Sequence, residues 1–75
     1  MIRNNPPFNG RRFLLNKNTN EIHDLLNEKS DCQIDEISLD HIQMFDTLEE
    51  ASVYLIFNNK QLNGCYYCLK EIDKG

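Results

Sequence analysis

The residues with the widest chemical reach in this chain are few: Cys32, Cys65, Cys68, His23 and His41. Cys65 and Cys68 stand in the stretch NGCYYCLK with two residues between them. That spacing lets one short turn bring both sulfurs to the same side of a metal ion. Gly64, just before the pair, suits a backbone that turns tightly beside the ion. Redox pairs of the same spacing open a long helix after a strand in a βαβ setting, which this sequence lacks. An odd number of cysteines also closes no disulfide framework. The pair is therefore read as half of a tetrahedral site, with Cys32 and one imidazole completing it. His23 and His41 are each nine positions from Cys32, so spacing alone leaves both open. His23 falls in a predicted strand whose following loop returns to Cys32, whereas a helix starting at Cys32 carries His41 away. The expected ligands are His23, Cys32, Cys65 and Cys68, with His41 as the alternative to His23. Four protein ligands close the coordination sphere and make the metal structural, since hydrolytic zinc keeps an open position. A thiolate-rich tetrahedral set accepts zinc or iron.

The elements that must position these groups are short. Residues 1–11 read as a flexible basic arm, because Asn4-Asn5-Pro6-Pro7 disfavours regular structure and Asn9-Gly10 is a turn signal. RFLLN and EIHDL, joined by the turn-prone KNTN, predict a β-hairpin with strands near 12–16 and 20–25. CQIDEISLDH predicts a short helix capped by Asp31, and HIQMF a third strand. DTLEEASVYLIFNNKQ is the clearest helix. Thr47 and Glu50 form a capping box, and the helix ends near Phe57 before Asn58-Asn59. CYYCLKEID predicts a last short helix. The whole reads as one α+β domain over residues 12–75, a hairpin plus a third short strand packed by two or three short helices. A three-stranded sheet can bury only one face against them.

Length sets the need for the metal. A chain of 75 residues builds a core worth roughly 3–5 kcal/mol, and small domains add a disulfide, a metal or a second subunit. No apolar run reaches the ~18 residues of a membrane span, and the N-terminus lacks a signal-peptide core. A reducing cytoplasm, where thiols stay free or bind metal, is the expected compartment. The net charge is −4 and uneven: residues 1–17 carry four basic side chains and no acid, whereas all 12 acids lie beyond them. Such an acidic body repels phosphates, so a protein partner is expected ahead of nucleic acid. The acids of NEKSDCQIDEISLD lack the apolar shielding that separates catalytic carboxylate pKa values. No phosphate-binding or dinucleotide fingerprint is present.

FLLNKNTNEIH, Cys32, IQMFDTLEEA and GCYYC together resemble the Ada-type metal-binding domain, over residues 13–72. That module is the N-terminal zinc unit of the bacterial adaptive-response DNA repair protein, with relatives among small bacterial proteins. The resemblance implies a zinc fold with His23, Cys32, Cys65 and Cys68 as ligands. In the repair protein the first ligand is a thiolate that accepts a methyl group from DNA; here His23 stands in its place. The arginine-rich DNA-facing stretch of the family is replaced by the acidic DLLNEKSDCQIDEIS. The resemblance thus implies the fold without the repair chemistry.

The expected function is a small cytoplasmic protein-interaction module with one structural Zn²⁺ and no catalytic activity. Two alternatives stand beside it: nucleic-acid binding through the basic arm, and a zinc-thiolate redox or alkylation sensor. VYLIF makes helix 48–57 greasy on two faces. One face should cover the sheet. The other is either wrapped by the N-terminal arm and the QLNG loop or pairs with a second chain, giving a monomer or weak homodimer. Of Tyr66 and Tyr67, one is expected to pack under the metal loop.

Overall fold

The computed structural model describes residues 1–70, and within them the chain is a small α+β domain. The strands are β1 (Phe13–Asn16), β2 (Glu21–Asp24), β3 (Ile42–Phe45) and β4 (Asn63–Gly64), and the one α-helix among the described residues is α1 (Leu48–Phe57). They form a mixed sheet in the order β3-β1-β2-β4. β1 runs antiparallel to both β2 and β3, whereas β4 is parallel to β2.

The hairpin forms where KNTN placed it. Asn20 takes a left-handed φ of 63°, and its N–H donates to Asn16 O at 2.7 Å. Asn tolerates that conformation better than branched residues do, which is why the turn closes here. The Asn16 side chain adds a bond from Asn18 N at 2.9 Å.

Both faces of the sheet are covered, against the expectation of one. Phe13, Leu15, Ile22 and Phe45 pack with Ala51 and Leu55 of α1 and with Leu69. On the opposite face Leu14, Ile42 and Met44 pack with Phe8, Leu25, Cys32, Ile34, Cys65 and Cys68. Side-chain alternation explains the division: Phe13 and Leu15 point one way and Leu14 the other. Phe8 is buried in that second layer and Ile2 packs against it, which corrects the reading of residues 1–11 as a flexible arm. Asn9 and Gly10 turn the chain with φ of 53° and 75°, and Gly10 N donates to Arg3 O.

α1 begins as its sequence predicts. Glu50 N donates to Thr47 Oγ1 at 3.1 Å, while Glu50 Oε1 accepts from Thr47 N at 3.3 Å. It ends where Asn59, with φ of 57°, lets Lys60 N donate back to Leu55 O.

Three other expectations are corrected. The helix expected in CQIDEISLDH is replaced by three separate 3₁₀ turns, Ser30–Cys32, Ile34–Glu36 and Leu39–His41, the first two split by Gln33 at φ 55°. Asp31 caps none of them; Asp24 instead caps the turn Leu25–Asn27 by accepting from Leu26 N at 3.0 Å. The helix expected from Cys65 is a turn at residues 66–68, and the rest of that segment, residues 71–75, lies outside the described residues.

Candidate metal centre

β2 positions three of the four candidate ligands. His23 lies in β2, and the neighbouring main-chain groups hold the C-terminal pair in place. Ile22 O accepts from Cys65 N at 2.8 Å, continuing the parallel β2–β4 ladder by one bond. Asp24 N donates to Cys68 Sγ at 3.2 Å. Asn27, just past the strand, donates its side-chain amide to Cys68 O at 3.1 Å. The turn between the two cysteines closes with Leu69 N donating to Cys65 O at 2.8 Å. Gly64 is a residue of β4 and takes no positive φ, so its part is a strand residue rather than the tight turn expected of it.

Cys32 arrives from the other side of the loop. Its N–H closes the 3₁₀ turn on Lys29 O at 3.0 Å, and the buried Ile34 anchors the chain just after it. The left-handed Gln33 between them reverses the backbone, so Cys32 and Ile34 both face the layer formed by Leu14 and Met44.

His23, Cys32, Cys65 and Cys68 thereby converge: one donor atom from each lies within 4.8 Å of every other, an arrangement that could hold a metal ion. All four are buried, at 2%, 8%, 2% and 3% exposure respectively. Cys32 Sγ is 3.5 Å from Cys65 Sγ, and His23 Nδ1 is 3.9 Å from Cys68 Sγ. An ion bound tetrahedrally at about 2.3 Å from sulfur and about 2.0–2.1 Å from nitrogen needs donor–donor edges of about 3.5–3.8 Å. The Cys32–Cys65 edge has that size, and the His23–Cys68 edge exceeds it by about 0.1 Å or more. A disulfide does not account for the cluster, since all three cysteines are free.

The electrostatics agree with the donor set. Burial lowers the His23 pKa to about 4, so the imidazole is neutral near pH 7 and has a lone pair to give. Its other nitrogen, Nε2, is 3.6 Å from Glu21 Oε1, on the side away from Cys68. A carboxylate there favours the tautomer with hydrogen on Nε2 and the lone pair on Nδ1. Burial also pushes up the thiols of Cys65 and Cys68. Main-chain N–H groups of Tyr67 and Cys68 oppose this at Cys65, and that of Asp24 does so at Cys68. These donors stabilise thiolate, the form that ligates, and a cation among the sulfurs reverses the burial effect.

His41, the alternative ligand, is not among the converging donors. It is exposed at the end of the 3₁₀ turn Leu39–His41, with its carbonyl accepting from Lys17 N at 2.7 Å. It lines a solvent-open hollow of about 450 Å³ together with His23, Cys32, Glu21 and Gln33. Tyr66 and Tyr67 are both exposed and stack edge-to-face at 5.3 Å, so neither packs under the metal loop.

Two of the basic side chains near the N-terminus, Arg3 and Arg12, are paired with acids. Arg3 forks onto Glu28 at 2.9 and 3.0 Å and reaches Asp35 at 3.2 Å. Arg12 forks onto Asp24 at 2.9 and 2.8 Å while lying over the Phe13 ring. Both carboxyls sit below their usual pKa, chiefly through these bonds. Sequence reading missed this network, because Asp24 and Glu28 look like ordinary members of an acidic stretch. It also missed β4, whose two residues carry no strand pattern of their own.

Against known protein families, curated proteins and solved structures, the chain finds no match. No helix among the described residues is long and apolar enough to cross a membrane.

Proposed function

We propose that this chain is a zinc-stapled interaction module of the Ada type. One Zn²⁺ is held by His23 and the three cysteines, and it works by adding folding free energy rather than chemistry. The observation that carries this reading is the convergence of four buried donors from separate segments within 4.8 Å. Full coordination by the protein leaves no position for substrate, which favours a structural over a hydrolytic metal. One imidazole and three thiolates suit zinc's preference for tetrahedral nitrogen and sulfur. Thiols and metal coexist most readily in the reducing cytoplasm.

A protein partner is favoured over nucleic acid by the acidic balance of the chain and by the pairing of Arg3 and Arg12, two of the four N-terminal basic residues, with Glu28 and Asp24. The sensor alternative is disfavoured by the burial of all three sulfurs, since redox-sensing cysteines are exposed and low in pKa. Native mass spectrometry with elemental analysis, on protein purified without added metal, tests the reading. One zinc per chain is the expected result. A folded, metal-free chain, or one carrying iron, overturns the assignment. A DNA filter-binding titration against salt accompanies it, with no micromolar binding expected.

A further inference from the structure

Two hollows reach the converging donors, and they differ in charge. The first, of about 450 Å³, is lined by the buried His23 and Cys32 together with Glu21, Glu36 and His41. Cys32, on its floor, is the most exposed of the four candidate ligands, at 8%. Glu36 and His41 are exposed and end the 3₁₀ turns Ile34–Glu36 and Leu39–His41, so they stand on the solvent side. Among the described residues, neither the Glu36 carboxylate nor the His41 ring has a hydrogen-bond or ion-pair partner, and no lysine or arginine lines this hollow. The second hollow, of about 460 Å³, reaches Cys68. Its one carboxylate, Asp24, is already forked by Arg12, and Leu26, Leu48 and Leu69 make much of the remaining wall.

A divalent cation passing from water to buried sulfur gives up its hydration, and oxygen and nitrogen donors along the way replace the lost waters. A cleft lined by one sign of charge also concentrates counter-ions. Only the first hollow offers both. We propose that this hollow is the route by which the ion enters and leaves the folded domain, with the Glu36 carboxylate and the His41 ring as transit donors at its mouth. The route rests on the metal site proposed above and adds how that site exchanges its ion. Glu21 lines the same hollow but also faces His23 Nε2, so it bears on the resting site. Glu36 and His41 are outside the converging set, which leaves them free for transit. A lost ligand lowers affinity. A lost transit donor slows entry and exit together and leaves their ratio unchanged.

The test is isotope exchange in the folded, metal-loaded chain. Protein carrying natural zinc is mixed with an excess of an enriched heavy zinc isotope and followed by native mass spectrometry, with metal content measured before mixing. Glu36→Gln combined with His41→Gln should slow exchange roughly tenfold, while affinity in competition with a chelating dye moves by less than about threefold. Leu26→Glu, which adds a carboxylate to the second hollow, should leave the rate unchanged. An unaltered rate in the double variant overturns the route, as does acceleration by Leu26→Glu. A matching loss of affinity in the double variant makes these residues ligands and also overturns it. So does wild-type exchange no faster than global opening, read by hydrogen exchange of the β1 amides. With one zinc per chain at the start, any of these results sinks the route alone; metal-free starting protein sinks the metal site with it.

Discussion

Replacing Cys65 and Cys68 together by alanine removes the C-terminal half of the metal site and leaves the rest of the sequence intact. His23 and Cys68 are 45 residues apart, and Cys32 and Cys65 are 33 apart. A cross-link closing a loop of such length stabilises the folded chain by about 4 kcal/mol through the unfolded state. The double variant also strips Asp24 N of its sulfur acceptor, an unsatisfied buried donor that costs about 1–3 kcal/mol. The loss totals about 5–7 kcal/mol, and of the roughly 3–5 kcal/mol that a core of this size supplies without a staple only about 0–4 remain. The expected outcome by circular dichroism is a thermal transition lowered by at least about 20 °C, or none at all. Wild-type protein in excess chelator keeps the sulfur acceptor of Asp24 N and should lose only the cross-link's share, about 4 kcal/mol. Tyr66→Phe, on the same turn but exposed, should change stability by less than about 0.5 kcal/mol. If the double variant melts cooperatively within about 5 °C of wild type, the metal is not what holds the C-terminal segment to β2.

Glu21→Gln should weaken metal retention by up to about 10-fold in competition with a chelating dye, because the carboxylate 3.6 Å from His23 Nε2 favours the tautomer that leaves the lone pair on Nδ1. Leu55→Ala empties a fully buried site beneath α1 and should lower the unfolding free energy by about 2–5 kcal/mol in urea titration. Thr47→Ala breaks the capping box and should cost about 1 kcal/mol, read as a fall of about 4–8 °C in Tm. Acid should destabilise the domain in two stages. The unfolded chain takes up a proton on His23 near pH 6.5, whereas in the folded chain burial alone lowers that pKa to about 4 and a bound ion would oppose the proton further, so that contribution is whole above pH 6.5 and fades as pH falls below it. Asp24, held low mainly by Arg12, contributes above its unfolded pKa of about 3.9 and loses that contribution at still lower pH. Thermal melts from pH 8 to 3 check both stages, and Asp24→Asn should flatten the second.

The chemistry of the site was legible because it depends on local spacing. The spacing of Cys65 and Cys68 pointed to the buried cluster that could hold an ion, and Asn20 and Thr47 set the hairpin turn and the helix start through their own backbone bonds. His23 over His41 was also within reach, since a hairpin strand and the loop after it must stay close. Where local signals conflicted with packing, sequence reading failed. CQIDEISLDH reads as a helix, yet burying both Cys32 and Ile34 in one layer goes with the left-handed reversal at Gln33. Asn63 and Gly64 have no strand propensity, and they pair where the turn bearing Cys65 and Cys68 is laid beside β2.

By itself, the amino-acid order determined the kinds of donor, their half-site spacing and the punctuation of the main hairpin and helix, since each is decided within a few residues. The tertiary structure alone decided that residues 1–11 close the second face of the sheet. It alone decided that Arg3 and Arg12 pair with acids, and that Val53, Ile56 and Phe57 remain outside. Those outcomes turn on which surfaces compete for the same covering partner, and that competition is settled only when the whole chain is packed.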